Sequence, residues 1–330
     1  MEISMPPFFW QEAIWQRFIS GVNNGRMPHA ILLTAAAGLG ADELAMAMGQ
    51  YLLCLSPMEM SVCNKCKSCK LLIANSHPDL LKIDLEEKAT QIKIDQIRES
   101  SDFISKTSQQ GGYKIVIISS ADKMNKNAAN ALLKNLEEPA GKTLIVLVSN
   151  NPHYILPTIR SRCFKFVINS PRRQAAIEWL REKNITDAEK LLTEANGAPL
   201  TVLAWHKSNY IKDRQLFLAS LREIAEGSSS PILEARRWLD LNCDMLLFWL
   251  LSWTESLIKE CVDSKIDERS ELTQVLPFIR DLNSNNLFRY RDRLCTKKAQ
   301  FVRSANLNQS LFLEELSLDW HALVGSLNYR

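Results

Sequence analysis

The sequence predicts an α/β domain on a parallel sheet, followed by segments that are helical throughout. Three observations carry this. Short apolar runs alternate with amphipathic stretches up to about residue 165. The runs are continuous rather than alternating, as expected of strands covered by helices on both faces. From residue 171 onward only helical periodicity remains.

"HAILLT" (29–34) reads as a buried strand that runs into a loop. "DELAMAMGQYLLC" (42–54) carries Leu44, Met48 and Leu52 at a spacing of four, a helix stripe. "DLLKID" (79–84) is a strand. In "IDQIRESSDFIS" (94–105), Ile94, Ile97 and Ile104 share one helical face. "YKIVIIS" (113–119) and "KTLIVLVS" (142–149) are strands buried on both sides. Between them, in "NKNAANALLKNLEEP", Ala129, Leu132, Leu133 and Leu136 make a helix stripe that Asn125 caps and Pro139 follows. A sheet of this kind binds ligands beyond its strand carboxyl ends. After "RSRCFKFVINSP" come "RRQAAIEWLREK", "DAEKLLTEAN" and "GAPLTVLAW", then long helical stretches broken at "EGSSSP" (226–231). The expected domains are 1–165, 166–207 and 208–330.

With 330 residues, 46% hydrophobic and 23% charged, the chain has the composition of a folded soluble protein. A net charge of +3 permits contact with nucleic acid without arguing for it. "MEISMPPFFWQEAIW" lacks the basic start and apolar core of a signal peptide. "MLLFWLLSW" (245–253), flanked by Asp244 and Glu255, is about half the length needed to cross a bilayer and reads as a buried helix. Trp238, Trp249 and Trp253 are expected in a core. The expected location is cytoplasmic, where disulfides are disfavoured.

Cys54, Cys63, Cys66 and Cys69 form C-x8-C-x2-C-x2-C. Four thiolates can close a tetrahedral zinc site, and x2 spacings present two sulfurs from one tight turn. Such a site has no open position, so it is structural. A disulfide pair or an iron–sulfur cluster are the other uses of four cysteines. Lys65, Lys67 and Lys70 beside them read as a solvated cluster, too small for a nucleic-acid site. Cys163, Cys243, Cys261 and Cys295 are scattered and read as small buried hydrophobes.

"TAAAGLGADELA" (34–45) has the placement of a phosphate-binding loop, G-x-x-x-x-G-K-[ST]. Aligned on Gly40, the first glycine is Ala35, the lysine is Ala41 and the hydroxyl residue is Asp42. The strand that should end in magnesium-binding acids ends in Ser119-Ser120. Asp122 comes too late and reads as a surface or capping residue. Asp42 and Glu43 fall in the first turn of a helix, where they supply the anion that phosphate supplies elsewhere. The site is therefore expected to bind nucleotide poorly and hydrolyse none.

"RMPHAILLT", the four-cysteine insertion, "HPDLLKID", "IKIDQIRE", "NALLKNLEEP" and "LPTIRSRC" together resemble the clamp-loader branch of the AAA+ proteins. Within that branch the chain is similar to the delta-prime family of bacterial DNA polymerase III, whose loops lack the lysine and the acidic pair. The resemblance spans nearly the whole chain. It implies an AAA+ module, a helical lid and a helical collar that joins five subunits, with gamma/tau and delta as neighbours. It implies a stator in DNA replication that helps load a sliding clamp onto primed DNA, with no ATP in its own site. Active relatives carry a nucleotide-sensing lid arginine; "GAPLT" places Leu200 there. In "SRC", the resemblance gives Arg162 the role of an arginine finger reaching a gamma/tau neighbour's ATP, with Arg160 the near competitor.

Two other functions compete: an AAA+ ATPase with an unusual loop, and a zinc-dependent DNA-binding protein acting alone. A polymerase active site has no support, because no carboxylate set suits two metals at a primer end.

Overall fold

The computed structural model describes residues 8–86, 89–110, 112–139, 141–262, 282–303 and 307–325. Residues 1–7 of the segment weighed as a signal peptide, and 263–281, 304–306 and 326–330 of the C-terminal stretch expected to be helical, lie outside them. Two compact units emerge, Met1–Ala204 and Trp205–Arg330.

In the first unit, Glu12–Asn23 (α1) precedes the strand Ala30–Ala35 (β1), and Ala41–Leu53 (α2) and Lys67–Ile73 (α3) follow. Leu80–Ile83 (β2), Ile94–Ser105 (α4), Lys114–Ile118 (β3), Lys126–Glu137 (α5) and Thr143–Ser149 (β4) come next. Pro157–Arg160 (α6) leads to Phe164–Ile168 (β5), then to Arg173–Glu182 (α7), Ala188–Glu194 (α8) and Pro199–Lys207 (α9), whose last three residues belong to the second unit. The five strands are all parallel, in the order β2-β3-β4-β1-β5. β3 and β4 are buried along their whole length, which is why their runs are continuously apolar. The Asn125 side chain accepts from the Ala128 N–H at 2.8 Å, so the α5 cap forms as its sequence requires. Ala129, Leu132 and Leu136 of α5 pack with Ile97 and Ile104 of α4 against one face of the sheet.

The strand β5 has no counterpart among the sequence expectations. Lys165 interrupts its apolar run, and Phe164 and Val167 stay exposed because β5 pairs with β1 on one edge only. An edge strand half open to water loses the continuous pattern that marked the inner ones.

The described residues of the second unit fold into helices: Tyr210–Ala225 (α10), Pro231–Arg237 (α11), Cys243–Val262 (α12), then helices over Ser284–Arg303 and Gln309–Gly325. The break expected at 226–231 separates α10 from α11. Trp238, Trp249 and Trp253 are buried, and the apolar run 245–253 lies inside α12. Among the described residues no helix is long and apolar enough to cross a membrane. Cys163 and Cys243 are buried as expected, but Cys261 and Cys295 are exposed. Both sit on helices that present a face to water, and residue type alone does not choose the face.

Glu234 is a carboxylate with no exposure at all, accepting from Ser220 Oγ and Ser229 Oγ and paired with Arg237 at 2.9 Å. Trp238 Nε1 donates to the same Ser220 hydroxyl at 2.8 Å. Burial pushes the Glu234 pKa up, but the two hydroxyls and the Arg237 guanidinium outweigh it and hold it below the ordinary value. A depressed folded pKa stabilises the unit above the unfolded value and loses that stability as pH falls through the folded one. Glu234→Ala is expected to cost about 2–4 kcal/mol at neutral pH. Glu234→Gln should remove part of the acid dependence of the urea midpoint below about pH 4.5.

Candidate functional site

The loop between β1 and α2 has the backbone of a phosphate cradle. Gly38 and Gly40 have φ of +78° and +80°, a region L side chains avoid, and Gly40 caps α2. The surroundings are not those of an open cradle. Gln11 Nε2 donates to Leu39 O at 2.8 Å and to Gly40 O at 2.7 Å, and Trp10 Nε1 donates to Leu39 O at 2.9 Å. Phe8 stacks on Trp10 with centroids 4.7 Å apart, and Trp179 of α7 meets Trp10 edge-on at 5.4 Å. A β-carbon on Gly40 would lie 2.7 Å from the Phe8 ring; one on Gly38 would lie 2.0 Å from Thr201 Oγ1. The Leu200 N–H donates to Gly38 O at 3.2 Å. Leu200 thus contacts the loop through its backbone, at the position given to a lid arginine.

Asp42 and Glu43 lie in the first turn of α2, next to the buried Ala41. Ser119, directly after β3, donates its hydroxyl to Asp42 Oδ1 at 2.5 Å. In a working site the loop carries the hydroxyl and the strand end carries the carboxylate. Here the two groups have exchanged elements and satisfy each other. Ser120 follows in a left-handed conformation. Asp122 sits in the single turn 121–123, half-buried, and its Oδ1 has no hydrogen-bond partner.

Arg162 lies in the turn between α6 and β5 and is exposed. Its guanidinium pairs with Glu137 Oε1 at 2.6 Å and donates to Thr158 O at 2.9 Å. Arg160 ends α6 and is half-buried.

The four cysteines converge, their sulfurs all within 4.8 Å of one another. Cys54 and Cys63 are 3.5 Å apart, Cys54 and Cys69 3.6 Å, and Cys63 and Cys69 3.9 Å. A tetrahedron with metal–sulfur bonds of about 2.3 Å has edges of about 3.8 Å, so the donor set fits such an ion. A disulfide needs sulfurs at about 2.05 Å. N–H groups of Lys65 and Cys66 bring the Cys63 thiol down to about 6, whereas burial pushes Cys54 and Cys69 up. Bringing all four to thiolate therefore needs a cation among them. The cluster is anchored to its domain: Ser68 Oγ donates to Leu53 O and lies 2.9 Å from His77 Nε2. His77 Nδ1 accepts from the Asp79 N–H, which puts the ring proton on Nε2 toward Ser68. With its ring proton facing the serine, His77 cannot act as a base for it, so the pair is structural. Lys65, Lys67 and Lys70 are exposed.

Sequence reasoning did not find the residues that close the loop or the partner of Arg162. "FFWQ" offered a weak signal, four consecutive bulky residues upstream of a glycine loop. Glu137 offered none beyond its place in "NLEEP".

A sequence profile described as DNA polymerase III, delta subunit, matches residues 10–172. One described as DNA polymerase III, delta subunit, C terminal, matches residues 208–322. The DNA polymerase III subunit delta' of Pseudomonas aeruginosa is 32% identical over 325 residues, covering 96% of this chain and 98% of that one. That of Escherichia coli K12 is 31% identical over 317 residues, covering 94% and 93%. Among solved structures, a DNA polymerase III gamma subunit-related protein from Thermotoga maritima superposes with a TM-score of 0.50 at 22% identity, covering 95% of this chain and 99% of that one. That likeness is one of fold alone. With both halves matched by the family's profiles and relatives aligned along nearly their whole length, the chain belongs to the family of DNA polymerase III delta' subunits.

Proposed function

We propose that this chain is a non-hydrolysing stator of a clamp loader. It holds gamma/tau and delta subunits in a five-membered ring and lends Arg162 to the ATP site of a gamma/tau neighbour. The assembly loads a sliding clamp onto primed DNA. In this reading a degenerate AAA+ domain with a structural zinc module ends after β5, at 168 rather than at the expected 165, because residues 166–168 pair in the sheet; a lid follows up to 207, and 208–330 form a collar.

The observation that carries the reading is the Ser119–Asp42 bond. A carboxylate stands where the loop should grip magnesium and phosphate, held there by the residue that should have been acidic. Each phosphate charge about 4 Å from it would be repelled by about 1 kcal/mol in water, rising to about 4 kcal/mol at an effective dielectric of 20. Ala41 offers no compensating charge. The contacts of Phe8, Trp10, Gln11 and Thr201 with the loop support the same conclusion.

The exposed Arg162–Glu137 pair is worth at most about 1 kcal/mol. An arginine finger contributes about 10³–10⁵ in rate, roughly 4–7 kcal/mol. Breaking the Glu137 pair therefore costs less than the finger would gain in the transition state.

The purified chain, titrated with magnesium and a fluorescent ATP analogue, is expected to show no saturable binding up to about 1 mM, where binding is worth only about 4 kcal/mol. Micromolar affinity that disappears when residues 35–42 are altered would replace the stator with an ATPase.

A further inference from the structure

We propose that the free edge of β5, with the cavity beside it, binds an extended protein segment in which an aromatic side chain is flanked on both sides by carboxylates. This does not rest on the stator reading and uses none of its residues.

The cavity measures about 470 Å³ and lies between α1, the turn before β1 and the start of β5. Its floor is apolar, formed by Phe18, Met27, Ile31 and Phe166. Its rim carries two exposed cations, Arg17 and Arg26, and its lining includes no acid. Among the described residues neither arginine has a carboxylate partner. Arg17 lies over the Phe164 ring, 4.8 Å from its centroid, and 5.7 Å from that of Phe166. A guanidinium over an aromatic face keeps its charge and its remaining donors available for a carboxylate.

The second feature is the strand itself. β5 pairs with β1 on one side, and among the described residues no strand pairs with the other. Phe164 and Val167, both exposed, lie along it with the exposed Lys165 between them. Five residues give an edge of about 17 Å, long enough for a short segment to add as a further strand. An added strand projects alternate side chains to one face. One aromatic side chain can then enter the apolar cavity while carboxylates two residues away, on the same face, meet Arg17 and Arg26, and one directly beside it, on the opposite face, meets Lys165.

Charge complementarity alone would also admit nucleic acid. Two features favour a peptide. Nucleic-acid affinity grows with the number of phosphates neutralised, and three cations are few. A sheet edge offers main-chain donors and acceptors that only another main chain matches in register.

The test uses the full chain and a short labelled peptide with one phenylalanine between two pairs of aspartates, followed by fluorescence anisotropy. Saturable binding is expected, weakened at least about tenfold in the double variant Arg17→Glu/Arg26→Glu. A peptide N-methylated at alternate residues, which keeps the side chains but loses main-chain donors, should weaken by a similar factor. Both substitutions fall on exposed positions, and an unchanged circular dichroism melt verifies the fold. The proposal is overturned by equal binding of the lysine–phenylalanine counterpart, by tighter binding of an oligothymidylate, by undiminished binding to the double variant or of the N-methylated peptide, or by no saturation up to about 1 mM.

Discussion

Replacing Arg162 with alanine, in a loader reconstituted with its ATP-hydrolysing neighbours, is expected to cut hydrolysis at the one adjoining site by about 10³-fold or more. The physical reason is local. As the γ-phosphoryl group leaves, charge builds on its equatorial oxygens, and a planar, permanently ionised guanidinium answers it with two parallel donors. Arg162 suits that task because it is exposed, sits on the short turn after α6, and among the described residues is held by Glu137 and one carbonyl. Steady-state hydrolysis by the whole ring would fall by less, since its other sites keep their own arginines; clamp loading on primed DNA should fall more, if loading needs every site. The substitution loses at most about 1 kcal/mol of surface pairing, so assembly should survive, as gel filtration would verify. Arg162→Lys should restore little, because an ammonium keeps the charge without the fork. Arg160→Ala, three-fold or less in effect on the same assay by expectation, separates the two arginines of the motif. Glu137→Ala should leave hydrolysis intact, since in the working state Arg162 has left it. Normal hydrolysis and loading by the Arg162→Ala ring would remove the arginine from the mechanism.

How far the sequence reached follows from the range of the interactions involved. β1, β3 and β4 were legible because strands buried on both faces need no polar alternation, and α5 because Asn125 and its stripe lie within one helix. The exchange of Asp42 and Ser119 was half legible. Each departure from the loop and strand pattern showed separately, but their hydrogen bond joins residues far apart in sequence. The contact of Trp10 with both Leu39 and Trp179 links three separate segments, and no periodicity encodes it. Glu234 was invisible for another reason. A glutamate in a helix reads as solvated, and only the two serines and Arg237 around it make burial tolerable. The four cysteines were the most legible feature, because metal geometry constrains spacing directly.

That same constraint gives the second large effect. The purified chain is expected to carry one zinc ion, and its removal by a chelator, or Cys66→Ser, to release residues 54–73 from the domain. Structural zinc in small finger peptides binds with about 10–16 kcal/mol of apparent free energy, nearly all of it spent on folding. Part of that order has other support here. Trp15 Nε1 donates to Met60 O at 3.0 Å, Tyr51 to Met58 O at 3.3 Å, and Ser68 ties α3 to Leu53. These neutral bonds contribute about 1 kcal/mol each, well short of what a structural zinc supplies. The loss should therefore be local: amide exchange over 54–73 should accelerate by orders of magnitude while β3 and β4, buried throughout, keep their protection. Cys66 is an informative position, since its sulfur accepts the Cys69 N–H at 3.4 Å and caps α3 as well as completing the tetrahedron. Serine can still cap but is a poor zinc ligand, so Cys66→Ser isolates the metal's share from the cap's. A visible absorption band would mark iron–sulfur instead, and sensitivity to reductant alone would mark a disulfide. A metal-free chain with unchanged exchange over these residues would mean that packing, not coordination, holds the sulfurs at their tetrahedral spacing.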